Sequence, residues 1–221
     1  YRGALLPIRV GGGKTLISLL AFRMVPHARP LLILPASLIK KTNIEKAKLA
    51  YHWKLPVRWK IVSYEWLQVK NNAEFLSTYQ PDLIVADEVH FLKDTRSGRT
   101  KKVSRYMKAN PDTVFVGMSG TLTNNSIRDF AHISSWALKT MSPAPRKYIV
   151  LDEWSRALDA KVNENNRLAP GALELLAENP QEPVREAFQR RLVDTPGVVA
   201  SRNDHVDIPL TIKSHILDTP F

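Results

Sequence analysis

Five short runs of the chain are apolar on successive residues: Ala4–Val10, Leu31–Leu34, Arg58–Ser63, Leu83–Ala86 and Thr113–Gly117. Strands that alternate apolar and polar residues have one wet face. Runs without alternation are covered on both faces, as in a parallel sheet. Between them lie stretches of helical character at Thr15–Met24, Ser37–Tyr51, Ser97–Lys108 and Ser126–Thr140, with a turn or short helix near Tyr64–Val69. Strands that alternate with helices in this way predict a doubly wound α/β domain.

The pattern changes at Ser142-Pro143-Ala144-Pro145, a breaker cluster. Helices are predicted beyond it at Leu151–Asp159, Gly171–Glu178 and Pro183–Val193. The organisation expected is an α/β body over 1–141, a helical elaboration over 142–207, and a last strand or linker over 208–221. No internal repeat or low-complexity tract interrupts it.

The chain has 221 residues, of which 44% are apolar and 24% charged. That is ordinary for a soluble globular protein with a sizeable core. No run reaches the ~18 apolar residues of a membrane span. The opening Tyr1–Pro7 lacks the regions of a signal peptide and has no Met, so the expected chain is a non-secreted piece of something longer. Without cysteine, disulfide scaffolds, thiolate metal sites and cysteine nucleophiles are excluded. A reducing compartment fits, cytoplasmic or, in a eukaryote, nuclear.

The net charge of +11 is concentrated. Residues 40–70 hold eight Lys/Arg against two acids, and residues 93–108 hold seven against one. Clustered cations of this kind displace counterions from a nucleic-acid backbone. A pair of solvated helix faces would carry the same charges.

Chemistry enters at three strand ends. Gly11-Gly12-Gly13-Lys14-Thr15 lies between an apolar run and a helical stretch. Glycines there let the backbone curl with its N–H groups inward, towards phosphates at the start of the helix. Lys14 would reach the β- and γ-phosphates, and the Thr15 hydroxyl would bind Mg²⁺. The full phosphate-loop pattern has glycine where this chain has Ile8. Asp87-Glu88-Val89-His90 ends a second run. Asp87 would hold Mg²⁺ with Thr15, and Glu88 would act as the general base towards water. A third run ends in Ser119-Gly120-Thr121, small and rich in hydroxyls, suited to sensing a γ-phosphate. Each feature alone also fits an ordinary loop. The six histidines are scattered and suggest no metal cluster.

Taken together, these segments resemble the first RecA-like lobe of a superfamily-two DExH helicase or translocase, closest to the Swi/Snf-type branch. Gly11–Thr15 is similar to motif I, and Leu31–Leu38 to motif Ia. Ile61–Leu67 resembles the segment before motif II, Asp87–His90 motif II itself, and Ser119–Ser126 motif III. Leu122 and Asp94 stand where the branch usually has proline and asparagine. The resemblance is clearest over residues 3–135 and much fainter over Val199–Pro209.

It implies a RecA-like, three-layer α/β fold with a mainly parallel sheet, with ATP and Mg²⁺ as cofactors. ATP would be held at Gly11, Gly12, Gly13, Lys14 and Thr15, with Lys14, Asp87 and Glu88 catalytic. His90, Ser119, Gly120 and Thr121 would couple nucleotide state to movement. Pro35, Ser37, Lys40, Lys41, Ser63, Tyr64, Thr123 and Asn125 would line the path of the nucleic acid, with double-stranded DNA the leading partner. A second RecA-like lobe, in the same or another chain, would supply an arginine finger. The competing readings are another phosphate-loop ATPase, such as a viral DNA-packaging motor, and a non-hydrolysing nucleic-acid-binding module.

Overall fold

A computed structural model describes residues 3–9, 11–23, 29–55, 59–120, 126–159, 171–179 and 181–200. The chain forms the α/β class expected, three layers with helices on both faces of a parallel sheet. Five strands, β1 (Ala4–Pro7), β2 (Pro30–Leu34), β3 (Lys60–Ser63), β4 (Leu83–Asp87) and β5 (Val114–Ser119), make one sheet in the order β1-β5-β4-β2-β3. Every pairing in it is parallel.

The unbroken apolar runs explain the two cores. In β2, Leu31 and Ile33 point to one face, and Leu32 and Leu34 to the other. All four are buried. The second face is covered by α1 (Lys14–Leu20) and α2 (Ile39–Leu49), through Leu19, Ile17, Leu38 and Ile39, with Trp59 and Phe22 beside them. The first face is covered by α3 (Tyr64–Gln68), α4 (Phe75–Tyr79), α5 (Gly98–Ala109) and α6 (Arg128–Leu138), through Tyr64, Leu67, Leu76, Val103, Phe130 and Ile133. Period-2 strands buried between helices on both sides give this layering.

Several ends differ from expectation. β1 stops at Pro7; the Ile8 N–H turns back to the Leu6 carbonyl (2.9 Å) and to that of Ser119 (3.2 Å). Val10 and Arg58 lie outside the described residues, and β3 starts at Lys60. α1 tightens into a 3-10 turn over Ala21–Arg23, and α2 is preceded by one over Ala36–Leu38. The short helix α4 has no sequence counterpart, because five residues carry too little periodicity to reveal it. Caps set other boundaries. Ser63 Oγ accepts the Trp66 N–H (3.0 Å) to open α3, and Ser97 Oγ accepts that of Thr100 (3.3 Å) to open α5.

Beyond residue 141 the chain forms α7 (Tyr148–Leu158), α8 (Gly171–Glu174) and α9 (Val184–Asp194). α8 is shorter than the predicted helix. Among the described residues these helices form no core separate from the sheet's. Ala157, Leu158, Leu173 and Phe188 belong to the same buried cluster as Leu5, Phe115 and Phe130. The N-terminus of α6 is clasped by α7 and the residue after it. Asp159 Oδ1 accepts the Ile127 N–H (3.1 Å), and Arg128 donates to Ser155 Oγ (2.6 Å) and pairs with Asp152. The chain then returns to the sheet. Leu5 donates to the Gly197 carbonyl and accepts from the Val199 N–H, both at 2.9 Å, in a parallel bridge to Val198 along the free side of β1. The predicted final strand, Ile208–Leu217, lies outside the described residues. No helix among the described residues is long and apolar enough to cross a membrane.

Candidate active site

The sheet order sets β1, β5 and β4 side by side, so their C-terminal ends meet at one rim. In open α/β sheets, ligands bind in the crevice beyond such ends. Pro7 pairs with Ser119, and Asp87 with Met118.

The loop between β1 and α1 needs its glycines for two different reasons. Gly11 (φ 85°) and Gly13 (φ 79°) are left-handed, a backbone that side-chain-bearing residues adopt only at a cost. Gly12 is held by space: a Cβ there would sit 2.5 Å from Ile8 Cγ2. Ile8 is buried where the usual pattern has glycine, and Gly12 is the residue that makes room for it. Gly13 caps α1, leaving Lys14 as its first residue and Thr15 half-buried in its first turn.

Lys14 crosses to β4. Its Nζ pairs with Glu88 Oε1, 74 residues away. The other oxygen of Glu88 lies 3.3 Å from His90 Nδ1 and accepts from Ser119 Oγ at 3.4 Å. His90 Nδ1 and Ser119 Oγ are themselves 3.0 Å apart. Three strand ends therefore converge on one carboxylate. Glu88 itself is left-handed (φ 53°, ψ 52°). A non-glycine residue so placed costs about 1–3 kcal/mol and persists only where its surroundings hold it.

Asp87 is buried, 4% exposed, and its Oδ1 accepts the Glu88 N–H at 3.0 Å. Burial pushes its carboxyl above the ordinary value of 3.8. The neighbouring Glu88 adds to this, while Lys14 and the Glu88 N–H oppose it. A carboxyl raised on folding stabilises the fold below its ordinary value, and that contribution is lost as pH rises through the raised one. Asp87→Asn is therefore expected to melt higher than the parent at pH 7, with the advantage shrinking towards pH 4. Thermal melts across that range test it; a lower melting temperature for the variant at pH 7 would contradict the effect of burial. Burial likewise lowers His90, with Lys93 and Lys14 acting in the same direction and Glu88 opposing. Its imidazole is held towards the neutral form.

The donor set fits a magnesium nucleotide: a lysine and a hydroxyl at the start of a helix, two left-handed glycines, and a buried carboxyl. Thr15 and Asp87 are the residues that would hold the ion. Among the described residues there is no group of three or more His, Asp or Glu that would hold a metal without a phosphate ligand.

The residues expected along the nucleic acid divide. Ser37, Lys40 and Lys41 are exposed. Pro35 is buried, Ser63 is occupied in capping α3, and Tyr64 is fully buried. Tyr64 has no surface to offer a nucleic acid; its side chain turns inward because the first position of α3 faces the core. Its hydroxyl donates to the Asp87 carbonyl (2.8 Å), and its ring stacks on Phe91 (5.1 Å, 8°). Gly120 is exposed at the end of β5, while Thr121, Thr123 and Asn125 lie outside the described residues.

The basic segments divide too. Lys102 caps the Leu67 and Val69 carbonyls, and Arg99 donates to the Phe91 carbonyl (2.8 Å), so both serve the fold. Lys101, Arg105 and Lys108 face solvent. Two contacts carry no sequence signal: Glu65 accepts the Ala36 N–H (3.0 Å), and a groove of about 400 Å³ beside β3 is lined by Ile39, Lys60, Trp66 and Phe75.

No protein-family model matches the chain, and no curated relative is detected. Among solved structures it is similar to the Escherichia coli DEAH/RHA helicase HrpB, with a TM-score of 0.46 and 16% identity over 87% of this chain. The chain spans 27% of that helicase's length.

Proposed function

We propose that this chain is the ATP-binding RecA-like lobe of a nucleic-acid motor, one that hydrolyses ATP to move along duplex DNA. The observation that carries the reading is the convergence of Lys14, Glu88, His90 and Ser119 at one rim of a parallel sheet. The Swi/Snf-type branch rests on the motif flanks in the sequence alone.

The Lys14–Glu88 pair is the resting arrangement. A bound triphosphate draws Lys14 onto its β- and γ-phosphates, which releases Glu88. The freed carboxylate then orients a water and takes its proton. Asp87 and Thr15 would hold a magnesium ion, which would supply positive charge to the phosphates. Ser119 and His90 touch the same carboxylate, so they register whether Lys14 is on Glu88 or on the nucleotide. A second lobe supplies an arginine to the transferred phosphoryl group, an effect worth several powers of ten in related hydrolases. This lobe alone therefore turns over slowly.

Lys40 and Lys41 lie on the exposed side of α2, within the first basic segment, and contact the DNA backbone. The test is one titration on the longer protein: ATP turnover against duplex DNA at several salt concentrations. Turnover stimulated by DNA is expected, with the salt dependence of DNA affinity flattened by about one to two units in a Lys40→Ala, Lys41→Ala double variant. Turnover indifferent to DNA, or an unchanged slope, would contradict the reading.

A further inference from the structure

We propose that the Tyr64 hydroxyl is a positioning group for the acidic pair, holding the peptide unit between Asp87 and Glu88 from the carbonyl side. The inference rests on the reading of Asp87 and Glu88 as the hydrolytic carboxylates.

That peptide unit is gripped at both of its polar atoms. Its N–H, from Glu88, goes to Asp87 Oδ1 at 3.0 Å. Its carbonyl, from Asp87, accepts the Tyr64 hydroxyl at 2.8 Å. Asp87 is the last residue of β4, so from here on no ladder continues to orient the backbone. The next residue is Glu88, in the left-handed conformation that aims its carboxylate at Lys14, Ser119 and His90. A peptide plane free to rotate would release that conformation first.

Tyr64 is suited to the task. It is fully buried, so its hydroxyl has no water to exchange with. Its partner is a carbonyl, which can only accept, so the hydroxyl is the donor. Its ring is clamped against Phe91, whose own carbonyl is held by Arg99. It comes from the start of α3, after the edge strand β3, and reaches β4 past β2. The acidic turn is thus tied to an element more than twenty residues away in sequence.

Tyr106 provides an internal control. Its hydroxyl donates to the Pro81 carbonyl at 2.8 Å, the same bond at the opposite end of β4. Tyr64→Phe and Tyr106→Phe each keep the ring and lose one buried hydrogen bond. Amide hydrogen exchange on the full chain, without nucleotide, is expected to show the Glu88 amide exchanging at least about tenfold faster in Tyr64→Phe only. The amides of Ile33 and Val85 should keep their protection in both variants. In the longer protein, Tyr64→Phe should lower kcat about tenfold or more with KM for ATP within about twofold, while Tyr106→Phe leaves both near the parent's.

Unchanged Glu88 protection in Tyr64→Phe overturns the proposal. So do equal changes in both variants, or faster exchange with kcat intact. If the parent itself shows no ATP turnover, the hydrolytic reading fails, and the exchange data still decide whether Tyr64 holds the turn.

Discussion

On the proposed function, Glu88→Gln in the longer protein is expected to lower ATP turnover by about 10² to 10⁴-fold, the range a general base contributes. The replacement keeps the length and one carbonyl oxygen, so Lys14 keeps an acceptor, while the amide nitrogen takes the place of the oxygen that faces Ser119 and donates to its hydroxyl. What it removes is the negative charge and the capacity to take a proton. Nucleotide affinity, read with a fluorescent analogue, should hold or tighten, because Lys14 no longer leaves a full ion pair to reach the phosphates. Turnover close to that of the parent would remove Glu88 from the chemistry. Loss of turnover together with loss of binding would assign it a role in holding the loop.

Phe130→Ala is expected to cost about 3–5 kcal/mol of folding stability, the usual range for emptying a buried aromatic site. Phe130 has no exposed surface and sits on α6 in the larger of the two cores, which also holds Phe115, Trp136 and Phe188. Rigid strands on one side and α7 and α9 beyond limit how far neighbours can close the gap. With typical total stabilities of about 5–15 kcal/mol, the loss would be a large fraction of the whole. Urea denaturation monitored by tryptophan fluorescence measures it. A loss below about 1 kcal/mol would mean that α6 is not packed as described.

The strands were legible because burial on both faces writes itself into sequence as consecutive apolar residues. Leu31-Leu32-Ile33-Leu34 serves two cores at once and admits no polar position. The loop glycines were legible for a similar reason, since a left-handed turn before a helix leaves few alternatives to Gly11 and Gly13. Tyr64 was not. Its segment resembles one that lines nucleic acid, yet the side chain points inward to a backbone carbonyl. Every residue has such a carbonyl, so the partner leaves no trace in the sequence. The match between Ile8 and Gly12 was hidden likewise, because it depends on how near the Ile8 side chain comes across a turn, 2.5 Å from where a Gly12 Cβ would stand. Nor did the breaker cluster at 142–145 reveal that the helices beyond it share the core of the sheet. Composition there marks a change of pattern, while packing is decided by which apolar faces meet.

The bridge between Leu5 and Val198 has a consequence for synthesis. Of the described strands β1 is made before the others, yet its sheet neighbour β5 starts at Val114 and, among the described residues, its outer flank is met at Gly197–Val199. Such distant partners make for slow, late closure. A nascent chain thus carries its glycine turn on an unpaired segment until β5 has been made, and covers the outer flank of that segment later still.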